Sequence, residues 1–191
     1  MKHIKLYEQF IAEAGTGEKV VLFPGRFQPM HLGHIKAFEK AYRVFGVKVV
    51  VIQIISKNEE SPFPRTLLEK IAKDVKGEFS FIADVLVYPD TLKTVIPQMV
   101  KYTREMGYDP IGLACGSDRF KDYQRQVNYL LSDKSDVPTT EFRLEVVDER
   151  IPNGPSGTKT REALKNDDSK SFGEMVSKGV QKHFDELKKY I

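Results

Sequence analysis

The sequence predicts an α/β fold: a Rossmann-like, doubly wound parallel sheet of about five strands, with C-terminal helices. Two observations carry this expectation. Short, nearly continuous apolar runs alternate with stretches of helical period along most of the chain. The apolar runs are unbroken rather than alternating, which suits strands covered on both faces. The composition is that of an ordinary soluble domain. With 40% hydrophobic residues, the 191-residue chain can build one full core with some appendage.

The elements follow in order. Ile4, Tyr7, Phe10, Ile11 and Ala14 recur at helical intervals, and Gly15-Thr16-Gly17 breaks the pattern. Residues 1–17 are therefore set apart as an N-terminal amphipathic segment or leader. Residues 18–165 form the main domain and residues 166–191 a C-terminal helical extension. Val20 to Phe23 reads as the first strand. Leu32 to Phe45 reads as a helix, with Ile35, Phe38, Ala41, Tyr42 and Phe45 on one face and Gly46 as its stop. Val47 to Ile55 is a strand, Arg65 to Lys76 a helix and Phe79 to Tyr88 a strand. Thr91 to Met106 reads as a helix that Pro97 kinks or splits. Ile111 to Cys115 is a strand, followed by a polar helix to about Leu131. Phe142 to Val147 is the fifth strand, Ser156 to Leu164 opens a helix, and helical patterns continue to Ile191.

Several classes of partner are disfavoured. The net charge of +3, without a basic cluster, does not call for a nucleic acid. No apolar run approaches the ~20 residues of a membrane helix. Cys115 is the single cysteine, so no internal disulfide is available, and a reducing, cytoplasmic setting is expected. No Cys/His spacing suggests a protein-bound metal. A homo-oligomer is left open.

Ligands of doubly wound sheets sit beyond the carboxyl ends of the strands. The first strand runs directly into Gly25-Arg26-Phe27-Gln28-Pro29-Met30-His31-Leu32-Gly33-His34. His31 and His34 are three positions apart at a helix start, so both imidazoles can point at one object. The helix N-terminus adds free amides and partial positive charge. Gly33 removes a side chain between the two histidines, leaving room for a bulky anion. With Arg26 nearby, the chemistry is that of a phosphate site. Two surface histidines, or half a metal site, remain the plainer alternatives.

Pro155-Ser156-Gly157-Thr158-Lys159-Thr160-Arg161 forms a second group. Ser156 and Thr158 are short hydroxyls at a helix start, and Arg161 lies one turn further in, able to fork phosphate oxygens. A Ser/Thr cap with a surface arginine is the alternative. Gly116 and Asp118 follow the fourth strand; Asp118 suits ribose hydroxyls or simply a helix cap. Lys57 and Gln28 are candidates for the acceptor side, with a solvated loop lysine as the alternative for Lys57.

GRFQPMHLGH resembles the GxFxPxHxGH signature of the HxGH nucleotidylyltransferase superfamily, which includes nicotinamide mononucleotide and phosphopantetheine adenylyltransferases and glycerol-phosphate cytidylyltransferases. PSGTKTR resembles the superfamily's ISxTxxR, with Pro155 in place of the isoleucine. The likeness spans roughly residues 19–165. It implies transfer of a nucleoside monophosphate from ATP or CTP to a small phosphorylated acceptor, with release of pyrophosphate. His31, His34 and Arg161 are then the catalytic residues. Gly25, Arg26, Phe27, Gly33, Gly116, Asp118, Ser156, Gly157 and Thr158 bind nucleotide, and Mg²⁺ arrives with the triphosphate. The first motif points to nicotinamide mononucleotide as acceptor. The alternatives are a cytidylyltransferase for an alcohol phosphate or sugar phosphate, and a non-catalytic nucleotide-binding or virion structural module.

Met1 to Glu13 resembles the capsid-targeting leader of internal proteins of some large tailed phages, with Ile11-Ala12-Glu13 as a Leu/Ile-x-Glu cleavage site. That likeness implies a phage-encoded enzyme, made in the host cytoplasm, carried into the capsid interior and trimmed after Glu13. A helix packed on the domain is the alternative reading.

Overall fold

The computed structural model describes residues 17–55, 62–147 and 154–191. The N-terminal leader and Lys57 lie outside the described residues. Five parallel strands form one sheet: β1 (Glu18–Gly25), β2 (Lys48–Gln53), β3 (Ile82–Val87), β4 (Tyr108–Cys115) and β5 (Arg143–Val146), in the order β3-β2-β1-β4-β5. The main helices are α1 (Leu32–Phe45), α2 (Arg65–Lys76), α3 (Ile96–Glu105), α4 (Ser117–Leu130) and α5 (Gly157–Lys165). Three short ones follow: α6 (Ser169–Met175), α7 (Lys178–Gln181) and α8 (Phe184–Leu187).

The sheet divides the core because strand side chains alternate. Val21, Phe23, Val49 and Val51 join Phe38, Leu68 and Leu164 on one face. Val20, Leu22, Val50 and Ile52 join Met99, Val100 and Val127 on the other. The central strands β1 and β2 are apolar to both sides, which explains the unbroken runs there, while the edge strand β5 has no fully buried residue. α1 ends where expected, at Gly46, whose φ of 71° is the left-handed conformation that glycine adopts without strain. The C-terminal helices pack on the α1/α2 side, burying Phe172, Val180 and Leu187. His183 Nε2 lies 2.8 Å from an Asp74 carboxylate oxygen, and Lys70 reaches Glu186 at 2.8 Å, tying these helices to α2. Among the described residues no helix is long and apolar enough to cross a membrane.

One helix differs from the sequence expectation. α3 begins at Ile96, not Thr91, and Pro97 neither kinks nor splits it. Proline sits in the first turn, where its missing N–H has no partner to lose. Residues 91–95 instead form the loop leading into α3.

Strand order reverses between β1 and β4, so the carboxyl ends of these two strands, Gly25 and Cys115, flank the crevice where such folds bind ligands.

Candidate active site

β1 ends at Gly25 and the chain turns sharply. Phe27 has a φ of 44°, an uncommon conformation for a bulky residue. Its ring folds back over Gly25, where a Cβ would come within 2.4 Å of it. The ring then packs against Phe38 at 5.2 Å and edge-on to His34 at 4.9 Å between centroids. Phe27 is only 6% exposed. Its ring packs edge-on against His34, and it also contributes to the wall of the cavity beyond β1.

His31 is the N-cap residue of α1. Its ring stacks on that of His34, with centroids 3.6 Å apart. The two imidazoles do meet, although only His34 stands within the helix. A Cβ on Gly33 would sit 3.0 Å from the His31 ring and 3.4 Å from the Pro155 carbonyl oxygen. Gly33 therefore makes room for the His31 imidazole and for the approach of the second motif.

The backbone N–H of His31 donates to His34 Nδ1 at 3.2 Å. An Nδ1 that accepts carries no proton, so neutral His34 holds its hydrogen on Nε2 as a donor. Burial lowers the His31 pKa to about 4. Burial, and then the neighbouring His31, hold His34 well below the usual histidine range. Both rings are neutral at pH 7 and act as hydrogen-bond donors, while positive charge comes from arginine.

These shifts give a stability prediction. The unfolded His31 ring protonates near the ordinary histidine value of 6.5, but the folded ring only near 4. Stability is fully present above the unfolded value and is lost as pH falls through the folded one. The shift corresponds to about 3 kcal/mol. The melting temperature should drop steadily below pH 6.5, and His31→Gln should flatten that drop. An identical slope in the variant would contradict the assignment.

The second motif closes onto the first. Ser156 caps α5, its Oγ accepting from the Lys159 N–H at 3.3 Å. Thr158 is exposed at the helix start, and Thr160 is buried, donating to the carbonyl oxygens of Ser156 or Gly157. Arg161 reaches back along the loop. Its Nη1 donates to the Gln28 carbonyl at 3.0 Å, across 133 residues of sequence. Gly157 permits this path, since a Cβ there would lie 3.1 Å from that nitrogen.

Gln28 departs from the expectation of an acceptor contact. The side chain is 4% exposed, and its Oε1 accepts from the Phe63 N–H at 3.4 Å. The turn tucks it beneath the Phe63 segment, so it braces the loop. Gly116 caps α4 by its backbone, and Asp118 lies in the first turn, where a carboxylate suits the helix dipole. Gly25, Arg26, His34, Gly116 and Asp118 line a cavity of about 630 Å³. Phe27 lines it too, and Ile54, Thr94, Asp122, Tyr123 and Gln126 are further wall residues that were not singled out from the sequence. Burial pushes the Tyr123 hydroxyl up to about 12, so it stays protonated.

Gln53, at the end of β2, was also missed. It is 1% exposed, and its Nε2 donates to the carbonyl oxygens of Phe27 (3.3 Å) and Arg26 (3.5 Å). The available signal was a lone amide inside the apolar run Val49 to Ile55. Among the described residues, four buried side-chain atoms lack a partner, and three belong to this region: Gln28 Nε2, His31 Nδ1 and Gln53 Oε1. Each such atom costs about 1–3 kcal/mol. Three such atoms thus cluster around the turn after β1, where a bound water or ligand would satisfy them. No three His, Cys, Asp or Glu side chains gather as metal ligands among the described residues.

A crevice at the switch point, with paired imidazoles and an arginine hydrogen-bonded to the loop that precedes them, is the site of a nucleotidyltransferase. The chain belongs to the cytidylyltransferase-like family, whose model matches residues 22–163. Solved structures share the fold. A nicotinic acid mononucleotide adenylyltransferase from Plasmodium falciparum, complexed with APC, superposes with a TM-score of 0.59 at 12% identity. Its complex with NaAD gives 0.60 at 13%, both covering 91% of this chain and 98% of that one. A Vibrio parahaemolyticus protein provisionally assigned as a nicotinate-nucleotide adenylyltransferase gives 0.55 at 16%, over 87% of this chain and 98% of its own. No curated protein sequence matches the chain.

Proposed function

We propose that this enzyme transfers AMP from ATP to nicotinamide mononucleotide and releases pyrophosphate. The observation that carries the reading is the stacked, neutral pair His31 and His34 at the α1 N-terminus, with Arg161 hydrogen-bonded to the same loop. The first motif supports this acceptor, and the structural neighbours, named for nicotinic acid mononucleotide, support its pyridine-mononucleotide class.

In the proposed reaction a phosphate oxygen of the acceptor attacks the α-phosphorus of the triphosphate. The bond from that phosphorus to the bridging oxygen breaks, and pyrophosphate leaves. An ionised phosphate is already a competent nucleophile, so the protein's work is orientation and stabilisation of charge. His34 donates from Nε2 to the α-phosphate oxygens, with His31 beside it. Arg161, Ser156 and Thr158 hold the β- and γ-phosphates, and Arg26 adds charge at the cavity mouth. Gly116 and Asp118 stand where ribose hydroxyls would be received.

Mg²⁺ fits only as an ion carried by the triphosphate with water ligands, since the described residues gather no carboxylate cage. When bound, it would neutralise the phosphates and assist departure of pyrophosphate.

The test measures pyrophosphate release from ATP and from CTP, each with nicotinamide mononucleotide, phosphopantetheine and simple alcohol phosphates. ATP with nicotinamide mononucleotide should be the productive pair. Preference for CTP with an alcohol phosphate would replace this reading by the cytidylyltransferase one. No release with any pair would leave a non-catalytic nucleotide-binding module.

A further inference from the structure

We infer that Gln53 is a positioning residue for the transfer site, holding the Phe27 backbone and, through the Phe27 ring, the His34 imidazole. The inference rests on the proposed reading of that site. Gln53 stands on a rigid base. Its own carbonyl accepts from the Tyr88 N–H at 2.9 Å, and the next residue's N–H bonds to the Gly25 carbonyl at 2.8 Å. The β2 backbone is thus pinned by both neighbouring chain segments, and the side chain projects from a fixed point.

From there Nε2 grips two successive carbonyls, those of Arg26 and Phe27. The opposite amide orientation would set Oε1 against two acceptors, so the hydrogen bonds fix the orientation. Phe27 has a positive φ, and its ring meets His34 edge-on. A linker that lost the two bonds would be free to relax toward ordinary φ, carrying the ring away from beneath His34.

The unpaired Oε1 argues that the amide is more than filler. A methionine would occupy much the same volume and remove the unpaired Oε1, at the cost of the donor to the Phe27 and Arg26 carbonyls. What the amide supplies, and methionine cannot, is the pair of N–H donors to the loop. They satisfy two carbonyls of the turn, and through that turn they set the geometry of the imidazole donor, where small misplacements cost large factors in rate.

The test compares Gln53→Met with Gln53→Glu. Q53M should lower kcat by about ten- to a hundredfold, with KM for the triphosphate little changed. Imidazole ¹⁵N signals of His34 should move in Q53M, while those of distant His183 stay in place. In Q53E the buried carboxyl keeps its proton near neutrality and its O–H replaces one donor. Q53E should therefore stay near wild-type kcat at about pH 6 and fall below it as pH rises. That pH profile decides the matter even if Q53M does not fold. An unchanged kcat in Q53M, unmoved His34 signals, or a Q53E no better than Q53M at every pH would overturn the inference. If wild type releases no pyrophosphate, the proposed reaction fails, yet the imidazole signals still decide the role of Gln53.

Discussion

His34→Ala is expected to lower kcat by about two to three orders of magnitude, the typical loss when one donor to a transferring group is removed. His34 is the better placed of the two imidazoles. Its Nδ1 is occupied by the His31 N–H, which leaves the Nε2 hydrogen for the ligand. The ring also lines the main cavity. The fold should survive, because the alanine removes one capping acceptor, worth about 1 kcal/mol, and the ring contacts with Phe27 and His31, while the sheet and its two core layers stay intact. His34→Gln retains a side-chain N–H donor and should fall between wild type and alanine. Steady-state pyrophosphate release and a thermal melt decide it together. Near-normal turnover in the alanine variant would remove His34 from the chemistry.

Arg161→Lys is the second substitution with a large expected effect, although it conserves charge. The guanidinium has enough donors to hold the Gln28 carbonyl and still offer others to phosphate. An ammonium is a point charge without that planar fork. Losing one charge-assisted bond in the site costs about 1.5–3 kcal/mol. The variant should therefore lose tenfold to a hundredfold in kcat/KM for the triphosphate. Because the bond to Gln28 joins two motifs distant in sequence, some of this loss should appear in kcat and not only in KM. Wild-type kinetics would reduce Arg161 to a surface residue and Ser156 to a simple helix cap.

These two residues were legible in the sequence because their signals are local. The histidines follow an apolar run and open an amphipathic helix, and both consequences could be read from spacing. The same holds for α1 and α2, whose apolar stripes gave boundaries that the structure reproduces. α3 was overextended because Thr91, Leu92 and Val95 continue a helical pattern, while the start is set by the tertiary bond from the Ile96 N–H to Gln126 Oε1. Phe27, Gln28 and Gly33 were placed in the right loop, but what their side chains and backbone pack against was not legible. Their side-chain directions follow from the turn at Phe27 and from the approach of Phe63 and Pro155, none of which local spacing reveals. Gln53 escaped notice for the same reason: its partners lie 26 and 27 residues away.

The central claim is that the bond broken lies between the α- and β-phosphates, at a site built from His31, His34 and Arg161. It is tested most directly by following label from ATP carrying ³²P at either the α or the γ position, with nicotinamide mononucleotide as acceptor. The account predicts that α-label appears in the joined dinucleotide and γ-label in pyrophosphate. Transfer of γ-label to the acceptor, as a kinase would give, or retention of both labels in unreacted ATP, would contradict it.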